Sequence, residues 1–175
     1  MLDRRRLHFL VPAVLAALAH NVVHEGLHFL LARSLGEGVR EFRFLTNGWL
    51  TSQVVYATPV AERTGFHWLA IAWLPALGTT GLGYLVYANR GRLLTRRPLL
   101  NALVWYVGVL FLIIDPLYFG LLSLAVAGSD VEAASAVGWS VWPVRVVALG
   151  VLLFDSWLVW RWRRESSARP ERYLA

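Results

Sequence analysis

His24-Glu25-Gly26-Leu27-His28 sits inside an otherwise apolar run that extends from Leu7 to about Ala32. A run of that length can cross a bilayer as a helix, for which about 20 residues suffice. On a helix the two histidines stand at i and i+4, one above the other on the same face. Two imidazoles so placed can share a metal ion, with Glu25 beside them to polarise a water on that ion. Such chemistry needs an open coordination position for the water and a base that is not consumed as a ligand. Histidines near a span end also snorkel or hydrogen-bond within a bundle. A pair of them flanking Glu25 at membrane depth, where ionisable groups are costly, favours the metal. His20 continues the stripe one turn earlier. Eight residues of helix separate it from His28 by about 12 Å, so it is expected to line the cavity or support a ligand rather than join the same ion.

The composition agrees with a membrane setting. Of 175 residues, 57% are hydrophobic and only 16% charged, with nine Trp. That is too little charged surface to keep a soluble domain of this length dispersed. The net charge of +6 does not call for nucleic acid, because the arginines cluster at the ends of apolar runs, where lipid headgroups and topology account for them. With no cysteine there is neither a disulfide framework nor a thiolate site, so a metal must be held by His and carboxylate. Arg4-Arg5-Arg6, the apolar stretch and Ala17-Leu18-Ala19 imitate a signal peptide. The apolar run continues past Ala19 to Leu31, which predicts an uncleaved first transmembrane helix.

Arg33, Gly36 and Gly38 end that helix. Two β-rich arms follow, Val39 to Thr46 and Trp49 to Tyr56, joined by Asn47-Gly48, the strongest short hairpin signal. A hairpin over about 39–56 is marginal alone and is expected to lie on the membrane surface or dip into the bundle. Its free edge would suit capture of an extended peptide, or the hairpin is a structural plug. A second span is expected from about Phe66 to Ala88, with Pro75 and with Gly78, Gly81 and Gly83 permitting close helix approach. After the basic loop Arg90 to Arg97 comes a third apolar stretch, Leu99 to Ala127, which Asp115-Pro116 is expected to kink or break. Ser129-Asp130-Val131-Glu132 reads as a capping box opening a short helix that ends at Gly138. The last span covers about Val144 to Trp160, and a basic tail occupies about 161–175. The fold class is an all-α membrane protein, a single domain over 1–175, with about four transmembrane helices and a membrane-associated β-hairpin between the first two.

With four spans, Arg4 to Arg6, the Arg90 to Arg97 loop and the tail all fall on one side. The positive-inside rule makes that side cytoplasmic, with both termini there, in a prokaryotic plasma membrane. His24 and Asp115 then both lie about 25 Å from the cytoplasmic edge, at 1.5 Å per residue.

Catalytic zinc usually takes three protein ligands and a water. His24 and His28 leave one place, for which Asp115 and Asp130 are the alternatives. Asp115 is a carboxylate in mid-span that demands a partner, at the depth of His24. Asp130 is explained equally by a helix dipole, and a kink at Pro116 would bring it to the level of His28. An H-E-x-x-H on the first long span, a following hairpin, a Pro/Gly-bearing second span and a later Asp together resemble the site-2 protease family of intramembrane zinc metalloproteases, and small zincin-like membrane proteins near it. The resemblance implies zinc held by His24, His28 and a later Asp, with Glu25 as general base, cutting a partner's transmembrane helix. In the smaller relatives the later acid follows a Gly-rich break and opens a helix. Gly128-Ser129-Asp130 resembles that better than Ile114-Asp115-Pro116 does, so the resemblance points to Asp130, with Asp115 the alternative. The family's Leu-Asp-Gly is absent, Asp130 being followed by Val131. The arginine count also places the site towards the outer face, whereas well-known members open to the cytosol.

The expected function is therefore an intramembrane zinc metalloendopeptidase acting on a membrane-protein or peptide substrate. The alternative is a non-catalytic membrane metal- or haem-binding protein using His20, His24 and His28, a transporter subunit, or a regulatory pseudoprotease. Glu25 separates them, because only the peptidase needs it.

Overall fold

The computed structural model describes residues 4–43, 52–125 and 130–168. The Asn47-Gly48 turn and Ser129 of the expected capping box lie outside those residues. Four helices carry the fold: α1 (Arg4–Ser34), α2 (Phe66–Leu93), α3 (Pro98–Gly120) and α4 (Trp142–Ala168). Each contains a stretch long and apolar enough to cross a membrane, and the chain is a multi-pass membrane protein. Between α1 and α2 lies the expected hairpin, strands β1 (Val39–Arg43) and β2 (Gln53–Tyr56).

The distribution of side chains is inverted relative to a water-soluble bundle. Leu30, Leu77, Leu85, Val147, Leu153 and Trp157 face outwards, while His20, His28, Thr79, Asp115 and Asp155 are buried. Lipid is the solvent for the first set, and the second must find partners inside the protein because lipid supplies none. α3 is the central helix, packed against α1, α2 and α4.

Glycine decides where α1 stops. Gly36 takes φ +81°, Glu37 N–H donates to Ala32 O (2.8 Å) and Gly36 N–H to Arg33 O (3.3 Å), the two bonds of a Schellman motif. The chain is thereby released into β1, which pairs antiparallel with β2 through Phe42↔Val54 and Arg43↔Gln53, with a bulge between Val39 and Glu41. The second such stop closes the segment after α3. Asp130–Val137 winds as a 3-10 helix, and Gly138 at φ +76° ends it, with Trp139 N–H on Ala134 O (3.0 Å). The short helix stands where its sequence places it, but wound more tightly than an α-helix.

Two expectations are corrected. Of the kink or break expected at Asp115-Pro116, the break does not occur: α3 runs on to Gly120, followed by a 3-10 turn over Leu122–Leu124. Proline removes one amide hydrogen bond and crowds the carbonyl four residues back, and here just one further turn follows it. The glycines of α2 also divide. A Cβ on Gly83 would stand 2.9 Å from Leu112 N, and one on Gly78 2.8 Å from Leu27 Cδ1, so both mark close helix approach. Nothing lies within 4 Å of that position on Gly81.

Gly83→Ala should accordingly lower stability by about 1–3 kcal/mol through overpacking against the α3 backbone. Gly81→Ala should be neutral or slightly stabilising, since Ala is the better helix former. Thermal unfolding of the detergent-solubilised chain, followed by near-UV circular dichroism, compares the two.

Candidate metal centre

Helix α1 lays His20, His24 and His28 along one stripe, and two carboxylates from elsewhere in the chain meet it. Asp115, on α3, places Oδ2 3.1 Å from His20 Nε2 and Oδ1 3.1 Å from His24 Nδ1. The first contact is a hydrogen bond; the second is short but lies outside hydrogen-bond alignment. Thr79 of α2 completes this group, its hydroxyl donating to Asp115 Oδ2. Among the described residues Asp115 thus gathers side chains from two other helices.

With Nδ1 turned to Asp115, His24 presents Nε2 to His28. The two Nε2 atoms are 3.1 Å apart, and His28 Nε2 is 3.6 Å from Asp130 Oδ2. Ligand atoms of His24, His28 and Asp130 all lie within 4.8 Å of one another, as do those of His20, His24 and Asp115. Zinc–ligand bonds of about 2.0–2.1 Å at tetrahedral angles would space neighbouring ligand atoms by about 3.3 Å. In the first set the His24–His28 and His28–Asp130 separations, 3.1 and 3.6 Å, lie close to that spacing. In the second set Asp115 faces His24 from the opposite nitrogen, the arrangement in which a carboxylate fixes the tautomer and direction of a metal-binding imidazole.

Asp130 reaches the stripe because the 3-10 segment is tied to α2: Trp73 Nε1 donates to the Asp130 carbonyl (2.9 Å). His28 Nδ1 lies 3.2 Å from the Tyr56 hydroxyl at the end of β2. Burial pushes the Tyr56 phenol up from its ordinary value, and the Asp130 and Glu25 charges add to the shift. It is therefore a neutral hydroxyl near pH 7, able to accept from an Nδ1–H. Sequence reading missed Tyr56, Thr79 and Trp73. Tyr56 was legible only as a strand residue, and a lone Thr in an apolar helix carries no signal of what it faces.

Glu25 points to the hairpin rather than lying loose, with Oε2 accepting from Val54 N–H at 3.0 Å. One turn earlier Asn21 Oδ1 accepts from Ser52 N–H (3.2 Å). The outer edge of β2, expected to be free, is thus engaged by α1 side chains at these two amides. An unpaired strand edge beside a bilayer otherwise leaves its backbone groups unsatisfied.

Two cavities flank the centre. The larger, about 650 Å³, is apolar and bounded by α2, α3, α4 and the Gly138 to Ser140 turn, touching Asp115 through its wall. The smaller, about 90 Å³, is lined by Tyr56, Arg63, Trp68, Asp130 and Glu132. Arg63 is half-buried there. Burial lowers its guanidinium from its ordinary value, offset in part by the Asp130 and Glu37 carboxylates, and it remains a cation at neutral pH.

Comparison of this chain with protein-family models, with curated proteins and with solved structures found no match. The class is defined by fold and site alone: a multi-pass membrane protein with four candidate spans whose first helix meets Asp115 of the central helix and Asp130 of the 3-10 segment in two His/Asp groups that could hold a metal ion.

Glu25→Ala should leave the Val54 amide without its acceptor. Its hydrogen exchange, read by NMR or mass spectrometry, is expected to accelerate at least about tenfold, the equivalent of one hydrogen bond. Exchange at Ser52 should change less, because Asn21 still holds it.

Proposed function

We propose that this chain is an intramembrane zinc metalloendopeptidase of the site-2 protease type. The observation that carries the reading is the convergence of His24 Nε2, His28 Nε2 and Asp130 Oδ2, with Glu25 beside them in the same helical turn. The donor set of two imidazoles and a carboxylate suits zinc and leaves a fourth position for water or substrate. Bound there, zinc would acidify that water and polarise the scissile carbonyl.

The chain's own residues supply the rest. Asp115 stands 3.1 Å from the outer nitrogen of His24 and the Tyr56 hydroxyl bonds that of His28, which leaves both Nε2 atoms facing one place. Glu25 accepts a proton from the attacking water and returns it to the leaving amine nitrogen as the C–N bond breaks. To do so it must exchange the Val54 amide for that water. A substrate helix must unwind locally to offer a peptide bond, which favours segments with helix-breaking residues. The arginine distribution supports cytoplasmic termini in a prokaryotic plasma membrane, with the hairpin and Asp130 on the outer face.

Metal content of detergent-purified protein, prepared without chelator, tests the reading. About one zinc per chain is expected in wild type, lost in His24→Ala, His28→Ala and Asp130→Asn. Asp115→Asn should keep the site but weaken its affinity about 10–100-fold, as loss of a supporting carboxylate does. Glu25→Gln should retain zinc while hydrolysis of a membrane-embedded peptide falls about 10²–10⁴-fold. Wild type without stoichiometric metal would end the proposal. Full function in Glu25→Gln would leave a non-catalytic metal- or haem-binding protein instead.

A further inference from the structure

Resting on that reading, the small pocket beside the centre says something about the substrate. It opens between the end of β2, the first turns of α2 and the 3-10 segment, and it shares Asp130 with the ligand set and Tyr56 with the support of His28. Its volume of about 90 Å³ would hold about three waters. That is room for a charged terminus or a short side chain, not for a helix.

Arg63 is the cation in this pocket, and its placement is unusually constrained. Its Nε donates to Thr58 O at 3.1 Å. Its guanidinium carbon stands 4.8 Å from the Tyr56 ring centroid and 5.0 Å from that of Trp68. The two rings meet edge to face at 5.2 Å, so the guanidinium is set in an aromatic corner. Among the described residues no carboxylate lies within ion-pair distance of it. A planar, fixed guanidinium with its terminal nitrogens unclaimed by an acid is built for bidentate recognition of a carboxylate. The acids nearby do not serve that role. Asp130 is directed to His28, and Asp130 and Glu37 act on Arg63 as charges from beyond ion-pair distance.

We propose that Arg63 is a specificity residue and that this pocket takes a carboxylate of the substrate, either a peptide C-terminus or an acidic side chain. Tyr56, which bonds His28, and Asp130, which faces it, both line the pocket, so a group seated there lies beside the ligand set. A peptide residue spans about 3.3–3.6 Å, so a carboxylate seated at Arg63 anchors a short chain beside Asp130, which lines the same pocket.

The test uses the full chain in detergent and a fluorescent apolar hexapeptide in three forms: free C-terminal acid, C-terminal amide, and amide with one internal Glu. Binding is read by fluorescence anisotropy on zinc-loaded and chelator-stripped protein, with zinc content measured in parallel. Wild type should bind at least one of the carboxylate forms about tenfold tighter than the neutral amide, as a charge-assisted bidentate contact provides. Tighter binding of the free acid identifies the terminus as the group recognised, and tighter binding of the Glu form the side chain. Arg63→Leu should reduce the preference to within about twofold, with zinc content unchanged, and Arg63→Lys should retain part of it. Should Arg63→Leu fail to fold, Arg63→Gln carries the comparison. No preference in wild type, or an undiminished preference in the Arg63 variants, would overturn the proposal. Carboxylate preference in a protein that binds no zinc would sustain it while removing the metal reading.

Discussion

A carboxylate buried among apolar helices must be given partners, and meeting that demand for Asp115 organises the centre of this bundle. Its oxygens draw in His20 and His24 from α1 and Thr79 from α2, all onto the central helix α3. Removing one member of such a group strands the others in a medium that cannot solvate them, at a cost of about 3–5 kcal/mol for a buried ion pair. The polar cluster therefore fixes the rotation of α1 about its own axis. Apolar packing alone would specify that poorly, because lipid is as good a neighbour for Leu as another Leu is. Gly83, whose close approach brings α2 to the α3 backbone at Leu112, sets the distance at which Thr79 can reach Asp115.

From that anchor the geometry passes outward through the imidazoles. His24, with Nδ1 turned to Asp115, offers Nε2 to His28, and His28, held at Nδ1 by Tyr56, offers Nε2 to His24 and Asp130. The two histidines are thus oriented from different parts of the fold, one from the bundle interior and one from the hairpin. Asp130 arrives from a third, suspended by Trp73 from α2. The hairpin is consequently more than a cover. Its β2 edge engages Asn21 and Glu25, its last residue supports His28, and the turn beyond it delivers Arg63 to the pocket beside the centre.

Much of this was legible without the fold. Four apolar runs bounded by arginines and glycines determine four spanning helices, because hydrocarbon admits few other arrangements of the backbone. Gly36 and Gly138 end their elements as read, since positive φ is cheap for glycine and costly for other residues. The i, i+4 histidines share a face by helical period alone, and His20 extends that face by the same rule. The break expected at Pro116 does not occur, because a proline near the end of a helix interrupts it too late for the chain to leave the helix.

What the sequence by itself determined, then, is every feature fixed by local covalent geometry and by the exclusion of polar backbone from lipid: the spans, the hairpin, the stops and the histidine stripe. What only the tertiary structure decided is which carboxylate meets which nitrogen. Asp115 and Asp130 were comparable in the sequence, both within reach of the stripe by depth. They separate only when α3 turns Asp115 towards Nδ1 of His24 and the Trp73 bond draws Asp130 towards Nε2 of His28. The engagement of Glu25 by Val54, the Tyr56 contact and the aromatic corner around Arg63 belong to the same class. They join residues far apart along the chain, and no local periodicity encodes a partner that arrives by folding.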